Sequence, residues 1–293
     1  MVDVFVSSAG GPCRVDGCAA DLRRSALHAL ALSSWPDKLA AVQAIPADAP
    51  VDVEAVLAPS GELPGRPARP ELVPPAQLKP RPVGTPDGRA ALIHALAHIE
   101  FNAVNLALDI VWRFPGMPPD FYRDWMRVAR EEAGHFRLLA GHLATLGRAY
   151  GDFPAHNGLW EMAEKTRDDV AARLTLVPRV LEARGLDASP QIRDKLLSVG
   201  DEAGAAILDI ILRDEIGHVA IGNRWWRYLC ERHGRDSVDW HAELARRYAA
   251  PRQRGPFNLQ ARRAAGFDEA ELSALAGQAQ GGAAQPLAPP CAR

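Results

Sequence analysis

The stretch Arg130-Glu131-Glu132-Ala133-Gly134-His135 (REEAGH) returns 83 residues later as Arg213-Asp214-Glu215-Ile216-Gly217-His218 (RDEIGH). Each copy spells arginine, acid, glutamate, apolar residue, glycine, histidine, and each is embedded in apolar sequence. On a helix the glutamate and the histidine, three positions apart, share a face. In the first copy that face runs Trp125, Val128, Ala129, Glu132, His135, Phe136 and Leu139; the second sets Glu215 and His218 among Leu208, Ile211, Gly222 and Trp225. An acid and an imidazole inside an apolar stripe must be satisfied within the core, because an unpaired buried carboxylate is expensive. One such pair arises often by chance on a surface helix; two, each central to a long helix, point to a shared site. Glycine costs a helix interior stability relative to alanine. Its presence in both copies is read as room for a close neighbour or ligand.

Apolar periodicity and stop signals place helices around the repeat. Asp87 can cap a first helix through GRAALIHALAHIEFNAVNLALDIVWRF, ended by Pro115-Gly116, and Pro118-Pro119-Asp120 opens a second that carries REEAGH. A third begins near Leu159, with a kink expected at Pro178, and reaches LEARGLDASP; a short piece from Gln191 to Val199 leads to Gly200. The fourth, DEAGAAILDIILRDEIGHVAIGNRWWRYLCERHG, carries RDEIGH. No stretch over 87–233 alternates as a strand would. The expectation is an all-α fold built on a four-helix bundle with the motif on its second and fourth helices.

Bundles that hold two metals in carboxylates add one glutamate from each of the remaining helices. Glu100 is the acid near the middle of the first helix, 32 residues before Glu132; Glu182 lies 33 residues before Glu215 on the third. Near-equal spacing suits two hairpins of one design, and Glu161 and Glu164 stand as alternatives to Glu182. The expected metal set is therefore Glu100, Glu132, His135, Glu182, Glu215 and His218. Oxygen-rich ligation with two imidazoles suits iron or manganese, whereas thiolates would favour zinc or copper(I). His94 and His98 share a polar stripe with Asn102, Asn105 and Asp109 and read as hydrogen-bonding or supporting residues. Glu131 and Asp214 sit beside the metal face, as ion-pair partners of neighbouring helices or orienters of a ligand histidine. His156 reads as a loop or capping residue within reach of the bundle end, and Trp112, Trp225 and Trp226 as core.

The rest of the chain bounds the reading. Its 293 residues are 47% apolar and 24% charged, enough for a sizeable core, and a net charge of −2 provides no global field for nucleic acid or an anionic membrane. Cys13, Cys18, Cys230 and Cys291 form neither a disulfide framework nor a zinc pattern, and MVDVFVSSAG does not read as a leader, so a soluble cytoplasmic protein is expected. Residues 1–45 read as an N-terminal helical segment interrupted at Trp35-Pro36. Segment 46–86 holds eleven of the 24 prolines and reads as an extended arm, wrapped over the body through Val56, Leu57, Leu63, Leu72, Val73 and Leu78. The bundle spans 87–233. Residues 234–293 form an extension with an amphipathic helix near 238–248, a basic run (Arg246, Arg247, Arg252, Arg254, Arg262, Arg263) and an end expected to be disordered.

Taken together, HALAHIEFNAVNLALD, REEAGHF, PAHNGLWEMAE, LVPRVLEARGLD, RDEIGHVAIGNRWW and RGPFNLQARRAAGF resemble the ferritin-like superfamily and, within it, the family DUF455. The resemblance covers about residues 20–270. It implies a di-iron or di-manganese site and supplies no substrate. LEARG also resembles the third-helix ligand region of a di-iron tRNA hydroxylase of that superfamily, which favours Glu182.

Three functional readings follow. The first is an O2-dependent oxidoreductase, a monooxygenase or oxidase acting on a small-molecule or phosphate-bearing substrate with an external reductant. The second is a ferroxidase or iron-binding protein, and the third a metal-free scaffold. A storage cage needs little beyond the bundle, whereas the arm and the tail would serve as a substrate wall and lid; the enzyme is favoured. Arg254, Arg262 and Arg263 would then meet an anionic part of the substrate. RNA is compatible with that run but unsupported by the net charge.

Overall fold

A computed structural model describes residues 21–280. The expected disordered end and Cys13, Cys18 and Cys291 lie outside the described residues. Two short helices, α1 (Leu22–Ala31) and α2 (Trp35–Ala44), open the fold, so the break falls just before Trp35, with Ser34 capping α2. The long helices α3 (Pro86–Arg113) and α4 (Pro119–Thr145) form a hairpin. Thr85, not Asp87, caps α3: its side chain accepts from Gly88 N, while Asp87 in the first turn pairs with exposed Arg148. α8 (Glu202–His233) is the last long helix, entered through a turn at Gly200, whose φ of +75° favours glycine.

The third helix of the bundle departs from expectation. It is built as α5 (Gly158–Lys165), α6 (Val170–Leu176), a π-helical turn (Val177–Glu182) and α7 (Ala183–Ser198). Pro178 lacks an N–H and crowds the preceding turn, and the wider π-helical turn takes it up in place of a simple kink. The piece from Gln191 is no separate helix; α7 runs through Pro190 and the reversal is at Gly200. Beyond the bundle come α9 (Ser237–Arg247), α10 (Leu259–Ala264) and α11 (Glu269–Gln280). Among the described residues strand pairing is limited to one bridge, Leu72 to Ala155. The protein is an all-α helical bundle.

The polar stripe on α3 explains how the arm and the broken helix are held. His94, His98, Asn102, Asn105 and Asp109 are all buried. His94 Nε2 accepts from Gly151 N, and His98 Nδ1 lies 2.9 Å from Tyr150 Oη and Nε2 3.0 Å from His156 O. Asn105 Oδ1 accepts from Lys38 Nζ at 2.6 Å; that ammonium also donates to Leu30 O and Gly65 O, tying α1, the arm and α3 together. Asp109 receives Arg173 of α6 and Arg113, with Trp112 Nε1 at 3.2 Å. Arg23 closes the far end of α3 by donating to Trp112 O and to the arm carbonyls of Asp52, Val53 and Ala55.

Leu57 and Leu63 of the arm pack on the core, whereas Val56 is 89% exposed and takes no part in wrapping. Trp112, Trp225 and Trp226 are core residues. α3 has the length and hydropathy of a membrane-crossing helix, but 78% of its most apolar window is buried against the rest of the bundle.

Candidate metal centre

α3, α4 and α8 bring four of the six expected ligands together. One oxygen or nitrogen each from Glu100, Glu132, His135 and Glu215 lie within 4.8 Å of one another, and all four residues are buried. His135 Nδ1 is 3.3 Å from both Glu100 Oε2 and Glu132 Oε2. The other motif closes on the same carboxylate: His218 Nδ1 is 3.0 Å from Glu132 Oε1 and 3.8 Å from Glu215 Oε1. Glu132 thus spans the two imidazoles, whose ring centres are 5.8 Å apart. Glu182, at the end of the π-helical turn, lies close enough to Glu215 and Glu132 for their charges to raise its affinity for a proton, and it lines one cavity with Glu100 and Glu215. Glu161 and Glu164 are exposed on α5.

The acid preceding each motif glutamate serves the opposite motif. His135 Nε2 is 3.1 Å from Asp214 Oδ2, and His218 Nε2 is 2.7 Å from Glu131 Oε2. A hydrogen bond from Arg213 holds Asp214 below the usual carboxylate range, so Asp214 accepts and His135 Nε2–H donates. Both rings are thereby turned with Nδ1 toward the cluster, the arrangement that prepares a histidine to ligate.

Electrostatics call for added positive charge. Burial and the neighbouring Glu132 push Glu100 well above its ordinary value, and burial with Glu215 does the same to Glu182. Burial acts to raise Glu132 as well, but His218 and His135 more than offset it and hold that carboxyl low. His135, opposed by burial but hydrogen-bonded by Glu100 and Glu132, is pushed up to about 11. Glu132 Oε1, Glu182 Oε2, Glu215 Oε2 and His218 Nδ1 are buried without a hydrogen-bond partner among the described residues; the 3.0 Å approach of His218 to Glu132 is a charge contact of poor hydrogen-bond geometry. Orphaned carboxylate oxygens and an imidazole nitrogen in one place, the nitrogen giving up its proton on binding, are what a hard cation takes up. The residues fit a metal ion, and the cluster can hold one.

Glu100, Glu182 and Glu215 stand in the wall of a cavity of about 320 Å3 whose other walls are mostly apolar, among them Leu96, Ala103, Leu106, Leu181 and Ile211. Ile99, 44% exposed, and the exposed Arg184 lie at its rim with His156. His156 Nδ1 accepts from Gly158 N at the start of α5 while its ring borders the cavity, so it is both a turn residue and a wall residue. Arg184 was not legible as a site residue, because only the π-helical turn and α7 bring it over the cavity.

The chain matches the family described as "Protein of unknown function (DUF455)" over residues 23–273. It belongs to the DUF455 family. An "Uncharacterized protein" of Haemophilus influenzae (strain ATCC 51907 / DSM 11121 / KW20 / Rd) is 49% identical to this DUF455 protein over 223 residues, 74% of this chain and 77% of its own length. No solved structure matches the chain.

Other expected site residues lie elsewhere in this DUF455 protein. His98 is committed to Tyr150 and the loop carbonyl of His156. Arg262 is fully buried with its guanidinium on Asp187, Ala183 O and Gln253 and does not line the cavity beside the Glu–His cluster, which corrects its reading as a contact for a substrate bound there. Exposed Arg263 pairs with Glu269, and Arg254 is exposed. The tail is bound into the bundle rather than laid over it: Asn223 of α8 donates to Ala265 O, and Ala261, Ala265 and Phe267 pack with Ala183, Leu186 and Val219.

The motif glycines are also corrected. A Cβ at Gly134 or Gly217 would meet nothing within 4 Å, so no close neighbour requires either. On α8 a contact does require Gly222, five residues beyond Gly217, where a Cβ would stand 2.4 Å from Pro178 Cβ. Gly222 lets α8 press against the π-helical turn that presents Glu182. Gly134→Ala and Gly217→Ala are each expected to raise stability by roughly 0.5–1 kcal/mol through helix propensity and to leave metal content unchanged. Gly222→Ala is expected to cost about 1–3 kcal/mol by overpacking and to lower metal content by displacing Glu182. Urea unfolding and metal analysis of the three variants check this contrast.

Proposed function

We propose that this protein is a ferritin-like di-metal carboxylate oxidoreductase that uses O2 to oxidise or hydroxylate a small organic substrate. The observation that carries the reading is the location of the Glu–His cluster, with its orphaned buried oxygens, in the wall of a largely apolar cavity. Glu100, Glu132 and His135 would hold one ion, and Glu182, Glu215 and His218 the other. Iron or manganese bound there would supply two-electron reduction of O2.

The chain's own residues provide the surroundings. Glu131 and Asp214 fix the histidine rings, which lowers the reorganisation needed to bind metal. Leu96, Ala103, Leu106, Leu181 and Ile211 exclude water and offer an apolar substrate its contact surface. Arg184 and His156 at the rim supply the polar groups that orient it. An external reductant completes the reaction, and the compartment proposed is the cytoplasm. A cavity of this size suits a small molecule better than a mineral, which favours an oxygenase or oxidase over iron storage.

Elemental analysis of freshly purified protein is expected to find about two iron or manganese ions per chain. The reduced protein is expected to consume O2 without building a mineral. Many tens of irons per chain would support storage instead, and zinc alone would remove the oxygen chemistry.

A further inference from the structure

A second polar centre lies where the tail meets the bundle. Arg179, in the π-helical turn, Arg262, in α10, and Gln253 between α9 and α10 are buried. Most of each guanidinium is committed. Arg179 donates to Asn223 Oδ1 and Glu271 Oε1, both at 2.8 Å, and Arg262 donates to Asp187 Oδ2 at 2.6 Å and Gln253 Oε1 at 3.1 Å. One nitrogen of each is left over. Arg179 Nε, Arg262 Nη1 and His241 Nδ1 are buried atoms with no hydrogen-bond partner among the described residues. All three residues line one cavity of about 30 Å3.

His241 and Gln253 also line an adjoining groove of about 500 Å3, floored by small side chains such as Ala242, Ala245 and Pro251. Exposed Arg246 and Arg252 stand on its walls, with no ion pair among the described residues. The basic run of the tail is thus divided: Arg262 is turned inward to the cavity, and Arg246 and Arg252 flank the groove above it.

We infer that this groove binds a small phosphate monoester, its phosphoryl oxygens held at the cavity mouth by Arg179, Arg262 and His241, and its body lying between Arg246 and Arg252. A tetrahedral phosphoryl group offers three terminal oxygens to groups arriving from three different elements, and guanidinium matches it in shape and charge. Four arginines face two acids here, Glu271 and Asp187. Glu271 lines the cavity too, but its oxygens already accept from Arg179, Ser237 and Asp268 N, so it competes little with an incoming anion. Burial, with the Arg179 charge, holds His241 down at about 4, so its ring is neutral near pH 7 and offers both a donor and an acceptor nitrogen. A single water could serve the same three buried atoms, yet it would leave Arg246 and Arg252 facing the groove without an anion. The inference does not rest on the metal reading.

The test uses the full chain, with 31P line broadening and thermal shift as readouts. Inorganic phosphate and glycerol 3-phosphate are titrated against sodium chloride at matched ionic strength. Saturable binding of both, tighter for the ester and absent with chloride, is expected. Arg246→Ala with Arg252→Ala is expected to weaken it roughly tenfold or more, and His241→Ala to weaken it as well, with melting temperature and metal content of the exposed double variant unchanged. No saturable broadening, an equal response to chloride, or undiminished affinity in the double variant would overturn the inference. Pelleting with phosphatidic acid vesicles without response to the soluble ester would overturn it in favour of a lipid surface.

Discussion

Replacing Glu132 and Glu215 together by alanine is expected to leave a folded helical protein that no longer retains metal. Glu132 reaches both imidazoles and Glu215 completes the second half of the cluster, so the pair removes the shared ligand and one of its neighbours. The fold survives because the bundle is held together by its apolar core. Glu215 is raised by burial and by Glu132, so it is a cost to the metal-free protein, whereas Glu132 is held low by His218 and His135 and lends it some support. The metal-free double variant is expected to stay helical but to melt below the metal-free wild type, because His135 and His218 lose the Glu132 carboxylate that faces them. Only the wild type should gain stability when iron or manganese is added, because the ion binds the native state alone. Elemental analysis, circular dichroism and melting curves with and without metal decide it. Full metal content in the double variant would remove the proposed site.

The second large effect is on stability. Asp109 of α3 and Arg173 of α6 form an ion pair with both side chains wholly buried. Arg173 also donates to Thr166 Oγ1 and Ala163 O, so its charge is fully engaged at the junction of α5 and α6. Asp109→Ala leaves a guanidinium in the core with no counter-charge, and is expected to cost about 3–5 kcal/mol. Arg173→Met in the Asp109→Ala background is expected to recover part of that loss, since an apolar pair removes the stranded charge. Urea unfolding of both single variants and the double variant measures the coupling. Additive losses would show that the two charges act independently. The same pair fastens the chain just ahead of the π-helical turn, so Asp109→Ala is also expected to weaken metal retention through Glu182.

The long helices were legible because their signals are local. Apolar period, Pro-Gly stops and capping side chains lie within a few residues of the backbone they govern. The shared face of each motif followed from helical geometry and the choice of Glu100 from the ligand pattern of metal-holding bundles, and the structure puts Glu100, Glu132, His135 and Glu215 within ligand distance of one another. The broken third helix was not legible. Pro178 signals a disturbance, but whether it becomes a kink or a π-helical turn depends on Gly222 of α8 being opposite it, 44 residues away in sequence. The motif glycines were misread for the converse reason: a glycine announces possible space, and only the packed neighbours show whether anything fills it. Arg262 was misread because an arginine within a basic run looks solvent-facing until Asp187 is found beside it.

By itself the sequence determined that the chain is all-α, that two long helices carry matching Glu–His pairs on apolar faces, and which acid on the first helix can join them. These are consequences of 3.6-residue periodicity and of the cost of burying charge, both set by the order of residues. Tertiary structure alone decided the rest. It turned Asp214 toward His135 and Glu131 toward His218, made Glu132 the carboxylate between the rings, set Glu182 in the wall of an apolar cavity, and divided the tail arginines between buried ion pairs and an open groove. Each of these joins residues far apart in the chain, and the side-chain directions that bring them together are fixed only once the helices have packed.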